Sequence, residues 1–328
     1  MNSVAAKHLH TLLLILTSIL TFVVSAFGHG NDPSPMAVDH TPVIDTHLHA
    51  AYLGYPDADY RDEILATMQR LNIEFAVLHI NEAADLKHWV EFAPEKFLAG
   101  PIFPCPPQLH RGSLACNWDQ GAWPSIPWLR AQYESGLLTV MGELMNVYSG
   151  IHPDDERMQP YWALAAELDI PVFIHISRGP PADSDTRPPG CCPNFTAEYG
   201  NPALLRPILK RHPELRVVLQ HAGIPALPML GDIGYNPETL ELMRDFPNVY
   251  VDLTILNSLM PDFMHAAFLQ ELKQHNLLDR VMFGSDNLPP ETILQRYEHM
   301  TFLSNAERHA IFADNARRFL RLKDPQPE

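Results

Sequence analysis

The sequence predicts an α/β chain, a single (β/α)8 (TIM) barrel, and three observations carry that prediction. Short apolar runs alternate with amphipathic segments along most of the chain. Several runs are continuous, such as V-F-I at 172–174 and V-V-L at 217–219, as suits parallel strands buried on both faces. Residues able to bind metal or move protons gather at the ends of these runs, and a barrel brings strand ends to one rim. A doubly wound sheet competes with it, because alternation alone does not show closure.

Strands are expected at 43–47, 73–80, 97–103, 137–144, 171–176, 215–221, 249–253 and 280–285. Helices are expected at 59–71, 82–92, 125–136, 154–168, 201–211, 236–245, 261–275 and 290–303. Two long connections, 104–124 and 178–200, are rich in Pro and follow strands, which puts them on the C-terminal rim. Loops of that length in a compact domain usually bind or cover something.

The barrel is expected to occupy 42–322, after a cleavable signal peptide at 1–26 and a linker at 27–41, with 323–328 as a tail. Lys7 precedes an apolar run from Thr11 to Ala26 that ends in small residues, Val24-Ser25-Ala26. The run falls short of the roughly 20 residues that span a bilayer. An uncleaved anchor or a buried helix is the alternative. Cleavage implies an exported chain, periplasmic or secreted, with no stable membrane insertion. Export lets Cys105, Cys116, Cys191 and Cys192 pair. Four cysteines allow three pairings, of which Cys105 with Cys116, or Cys116 with the 191–192 pair, fits the loops best.

Charge excludes one class of partner. Lys and Arg total 23 against 39 Asp and Glu, a net charge of −16, which repels a phosphate backbone. Nucleic acid is therefore not expected, and a homo-oligomer is left open.

The chemistry starts at Val43–His49, V-I-D-T-H-L-H. Alternation would put Asp45, His47 and His49 on one face, with the two imidazoles as ligands of a metal such as zinc. Asp45 could then hold a ligand ring in one tautomer. His175, His221, Asp286 and Glu143 likewise end the fifth, sixth, eighth and fourth strands. Five strand ends converging on one rim are a stronger signal than any of these residues alone. His79, ending the second strand, reads as structural. Neither G-x-S-x-G nor a phosphate-binding glycine loop occurs where it would be needed.

H-L-H after the first strand, the later His175, His221 and Asp286, the segment F-G-S-D and the closing N-A-R-R-F-L together resemble the amidohydrolase superfamily. More narrowly they are similar to its amidohydrolase-related branch, which includes aminocarboxymuconate-semialdehyde decarboxylase-like proteins. The resemblance implies a metal-dependent TIM barrel in which His47, His49, His175 and Asp286 match ligands of one divalent ion, most simply Zn2+. Glu143 and His221 would be bridging or second-metal ligands if a second ion binds; otherwise Glu143 orients substrate beside one metal and His221 polarises the carbonyl. A zinc-type ion brings the pKa of bound water toward about 7. Asp286 is expected to accept a proton from that water as it attacks a small lactone, ester or amide. Arg178, through its bidentate fork, and Tyr199 are the candidate substrate contacts; a salt bridge within the loop is the other reading of Arg178. A decarboxylase on the same centre and a non-catalytic metal-binding protein are the rival functions.

Overall fold

A computed structural model describes residues 41–51, 58–106, 116, 118, 123–179, 191–224 and 233–323. The expected signal peptide, and nearly all of the linker and tail, lie outside the described residues, as do parts of both long rim loops. Among the described residues no helix is long and apolar enough to cross a membrane.

Eight strands run parallel in chain order. They are β1 (Val43–His49), β2 (Ile73–Ile80), β3 (Phe97–Pro101), β4 (Met141–Leu144), β5 (Val172–Ser177), β6 (Val217–Ile224), β7 (Val249–Asp252) and β8 (Val281–Met282). Regular ladders join β1 to β3 and β4 to β8. Individual backbone bonds close the two seams. Ala99 O accepts from Thr139 N and Val140 N between β3 and β4, and Phe283 O accepts from Thr46 N at 2.9 Å between β8 and β1. Closure excludes the doubly wound alternative.

The helices are α1 (Ala58–Arg70), α2 (Ile126–Ser135), α3 (Asn146–Ser149), α4 (Gln159–Glu167), α5 (Arg206–Arg211), α6 (Asn236–Asp245), α7 (Asp262–Gln274), α8 (Pro290–Glu298), α9 (Asn305–His309) and α10 (Asn315–Leu320). Where they depart from expectation, the reason is local. Pro160 and Pro207 lack an N–H and are tolerated only in a first turn, so α4 and α5 begin beside them after short 3-10 turns. The helix expected at 82–92 shrinks to a π-turn, Leu86–Val90, between an Asp85 carboxylate that binds Asn81 N and Glu82 N and the helix-stopping Pro94. The sequence reading assigned no helix beyond 303, yet a Ser304–Glu307 capping box starts α9 there.

Alternate residues of the strands fill the barrel. Ile44, Val77, Phe173, Val218 and Met282, one from each of five strands, together with Val140 just before β4, form a buried apolar layer completed by Phe319 of α10. The Phe319 ring lies 4.6 Å from Tyr250 and 6.1 Å, edge on, from Phe173. Their opposite neighbours, among them Val172, Leu219 and Val251, pack outward in the larger core beneath the helices. On the rim Cys105 pairs with Cys116 at a Cα separation of 5.7 Å, and Cys191 with its neighbour Cys192.

With Phe319 plugging the apolar layer, Phe319→Ala should cost about 3–5 kcal/mol, as large-to-small core changes do. A chemical-denaturation midpoint unchanged from wild type would show that α10 does not seal the barrel.

Candidate metal centre

Each residue of the centre reaches the barrel interior by an identifiable backbone device. Counting alternately from the inward Ile44 would turn His47 outward. A register shift between Asp45 and Leu48 resets the parity, so His47 and His49 enter while Asp45 faces away. The expectation that Asp45 shares their face is thereby overturned. Asp45 instead lines an outer cavity of about 240 Å3 with Leu48, Tyr60 and Ser285. There it accepts from Ser285 Oγ at 2.5 Å, Ser285 N at 2.9 Å and His47 N at 3.1 Å, and burial pushes its carboxyl up to about 6.

Glu143 follows Gly142, whose φ of 126° suits only glycine and where a Cβ would sit 2.1 Å from Phe173 O. His175 and Asp252 arrive by plain alternation two residues after Phe173 and Tyr250. His221 and Asp286 have φ of 64° and 51°, left-handed values that cost roughly 1–2 kcal/mol in an L-residue. Strain of that kind is tolerated where surrounding contacts over-determine the conformation.

Six of the residues expected from sequence meet here. Glu143 lies at the middle: its Oε2 is 3.3 Å from His49 Nε2 and 3.6 Å from His47 Nε2, while its Oε1 is 2.7 Å from His175 Nδ1 and 3.4 Å from His221 Nε2. Asp286 Oδ1 stands 3.2 Å from His49 Nε2 and 3.6 Å from His47 Nε2. The donors thus fall into overlapping groups: His47–His49–Glu143, Glu143–His175–His221, and His47–His221–Asp286. His175 belongs with Glu143 and His221 rather than directly with the β1 pair.

Three residues that the sequence reading missed hold the rings. Asp252 Oδ2 accepts from His47 Nδ1 at 3.1 Å, the ring-fixing task expected of Asp45. The Thr254 hydroxyl donates to Asp252 Oδ1 at 2.7 Å and so accepts from His221 Nδ1, also at 2.7 Å. That puts a proton on His221 Nδ1 and turns Nε2 toward His175 Nδ1, 3.0 Å away, and Glu143. Gln220 Nε2 sits 2.8 Å from His79 Nε2 and 3.0 Å from His47 Nδ1, which places His79 in the floor of the centre. Asp252 ends V-Y-V-D just as the other ligand-type residues end their strands, so the strand-end criterion would have found it.

Electrostatics define the character of the set. Burial opposes charge on Glu143, Asp252 and Asp286, yet the surrounding imidazoles hold all three carboxyls low, Asp286 at about 2. Burial likewise opposes charge on His47, but Asp286, Asp252 and Glu143 raise it well above its usual value. Burial pushes His175 down to about 4 and His79 to about 3. Three buried carboxyls and four imidazoles thus share one pocket, with His47 Nε2 3.3 Å from His49 Nε2. The Nε2 atoms of His47, His49 and His221 and Nδ1 of His175 turn toward these carboxylates, while among the described residues the opposite nitrogens His49 Nδ1 and His175 Nε2 are buried without a hydrogen-bond partner. Buried carboxylates gathered round imidazole nitrogens are the donor chemistry of a divalent transition-metal site.

The two expected substrate contacts lie on the rim. Arg178 leaves the end of β5 exposed, its guanidinium 5.5 Å from the Tyr235 ring centroid. Tyr199 is half-buried and packs edge-on against His152 at 5.3 Å.

Residues 123–322 match a family model described as amidohydrolase. No curated protein matches the chain. Solved structures share the fold at low identity. One is an uncharacterised TIM-barrel protein from Bordetella bronchiseptica, with a TM-score of 0.57 and 19% identity over 85% of this chain and 98% of that one. A probable 2-pyrone-4,6-dicarboxylic acid hydrolase from Acinetobacter baumannii follows at 0.58 and 12% identity, over 85% and 99%. A 5-carboxyvanillate decarboxylase from Sphingomonas paucimobilis is similar at 0.54 and 16% identity, over 86% and 100%.

Thr254→Val keeps the shape of the side chain but removes the acceptor for His221 Nδ1. Loss of such an outer partner typically weakens metal binding about 10- to 100-fold. Competition with a chromophoric chelator reads this directly, and wild-type affinity in the variant would dismiss the role assigned to the hydroxyl.

Proposed function

The chain belongs to the amidohydrolase family, and from that premise we propose that this metal-dependent enzyme is a hydrolase of small lactones, esters or amides. One observation carries the choice: the two oxygens of Glu143 face different pairs of histidines, His47 and His49 on one side and His175 and His221 on the other. The sequence favoured a single ion. The divided donor set supports two divalent ions, most simply zinc: His47, His49 and Asp286 would hold one, His175 and His221 the other, and Glu143 would be available to both. Ions held there would supply Lewis acidity to a carbonyl group and acidify water. A decarboxylase on the same residues would have no use for a shared carboxylate between two cations.

Asp286 is best placed to move the proton. Its side chain is 15% exposed, against 9% or less for the other five donors, so it alone is open to an arriving substrate and water. Its carboxylate takes the proton of the attacking water and delivers it to the leaving group. His221, its Nδ1 proton held by Thr254, keeps Nε2 for the centre. Arg178 binds a carboxylate on the substrate, and Tyr199 walls the approach. Cleavage after Ala26 and export are part of the same proposal, since a signal segment and paired cysteines suit an oxidising compartment.

Asp286→Asn keeps an amide oxygen as a ligand but abolishes the base at neutral pH. The variant should retain most of its metal while kcat falls about 100- to 10,000-fold on any lactone or ester the wild type turns over. Elemental analysis and turnover on the same samples decide the matter. Near-wild-type kcat in the metallated variant removes Asp286 from the role, and carbon dioxide release from a carboxylate panel without hydrolysis removes the hydrolase reading.

A further inference from the structure

We propose that Asn287 is a positioning residue that sets the His49 side of the centre, through hydrogen bonds to the backbone of His49; the inference rests on the metal-site reading above. Asn287 Oδ1 accepts from His49 N at 2.7 Å, and Asn287 Nδ2 donates to His49 O at 3.0 Å. One side-chain amide thus mimics a neighbouring strand. The mimicry is needed because regular β8 is only two residues long, Val281–Met282, whereas β1 runs on to His49. The backbone bond from Asp286 N to His47 O is the last link between these ends, and beyond it the edge of β1 facing β8 is completed by Asn287.

The geometry is fixed from three directions. Asp286 and Asn287 are consecutive left-handed residues, φ 51° and 59°, which turn the chain back toward β1. Asparagine is among the few side chains that enter this region readily. Its Nδ2 also donates to the Tyr60 hydroxyl of α1, so the amide is held from behind. On its other edge β1 pairs with β2, His49 lying opposite His79. His49 is therefore gripped from both edges at the position where its ring must meet Glu143 and Asp286. Because Asp286 is the preceding residue, the same clip fixes the separation of two donors that come from opposite ends of the chain.

Asn287→Gly separates positioning from folding. Glycine accepts the left-handed backbone without penalty, so the substitution removes the amide while relieving conformational cost. Metal-free wild type titrated with zinc against a chromophoric chelator comes first. Two equivalents per chain support the two-ion reading; no tight binding would defeat that reading independently of any variant. In Asn287→Gly one of the two binding steps should weaken about 10- to 100-fold, with the other step and the melting temperature of the metal-free protein unchanged. Cobalt(II) in place of zinc should show the same selective loss in its visible absorption. Asn287→Ala, which deletes the amide but keeps the backbone cost, should match the glycine variant in metal affinity and melt lower. Two unshifted binding steps in the glycine variant overturn the proposal, as does a loss shared equally by both steps.

Discussion

The buried Glu143 carboxylate, 1% exposed at the end of β4, is the constraint on which the rest of the site depends. Removing such a charge from water costs several kcal/mol, and good geometry with hydrogen bonds to every lone pair is required to offset it. Glu143 is surrounded by four imidazoles from β1, β5 and β6, with His175 Nδ1 in hydrogen-bond contact at 2.7 Å. Two of those rings have partners behind them, His47 at Asp252 and His221 at Thr254. Asp252 adds a second buried anion and Asp286 a third. Three buried carboxyls among imidazoles form a donor set that could hold a divalent ion, which is what sets this layer apart from an ordinary hydrogen-bonded core.

The barrel separates this layer from its stability. Ile44, Val77, Phe173, Val218 and Met282 lie on the same strands as the polar residues, earlier in the chain, and bury an apolar layer under Phe319. Burial of that kind is non-directional and tolerates small adjustments. The polar layer does not, since its rings must keep their facing nitrogens aimed at Glu143 and its neighbours. Gly284 shows how closely the two ends of the chain approach: a Cβ there would meet Thr254 Cγ2 at 2.7 Å and His47 Cβ at 3.0 Å.

Most of the architecture was legible in the sequence because it is written in periodicity. Five of the eight strands begin and end within two residues of expectation; β6 runs three residues further, to Ile224, β4 begins its regular pairing only at Met141, and β8 stops at Met282. Six site residues were legible because each ends an apolar run. What alternation could not reveal is where it breaks. The shift between Asp45 and Leu48 and the left-handed His221 and Asp286 change which face a side chain takes without changing residue type. Asp45 was misplaced for that reason. Asp252, by contrast, obeys alternation and was overlooked because no resemblance drew attention to it. Thr254, Gln220 and Asn287 act through hydrogen bonds that reach partners remote in sequence, His47 standing 173 positions from Gln220 and His49 238 from Asn287. No local pattern encodes such pairs.

The division of labour between strand ends and loops explains why the chemistry is easier to read than the substrate. A carbonyl group arriving at the centre would meet donors fixed by the sheet, and those donors depend on residues already buried below the rim. Selectivity falls instead to the segments above it, where Arg178 with Tyr235, Tyr199 with His152, and the two cysteine pairs are found. Cys192 is fully buried against Tyr148, whose ring lies 4.9 Å from His175. The rim is therefore packed onto His175 rather than floating over it. A substitution in that apolar cluster reaches the donor group through the Tyr148 ring, whereas under the proposed function one at the exposed Arg178 would change what the site admits.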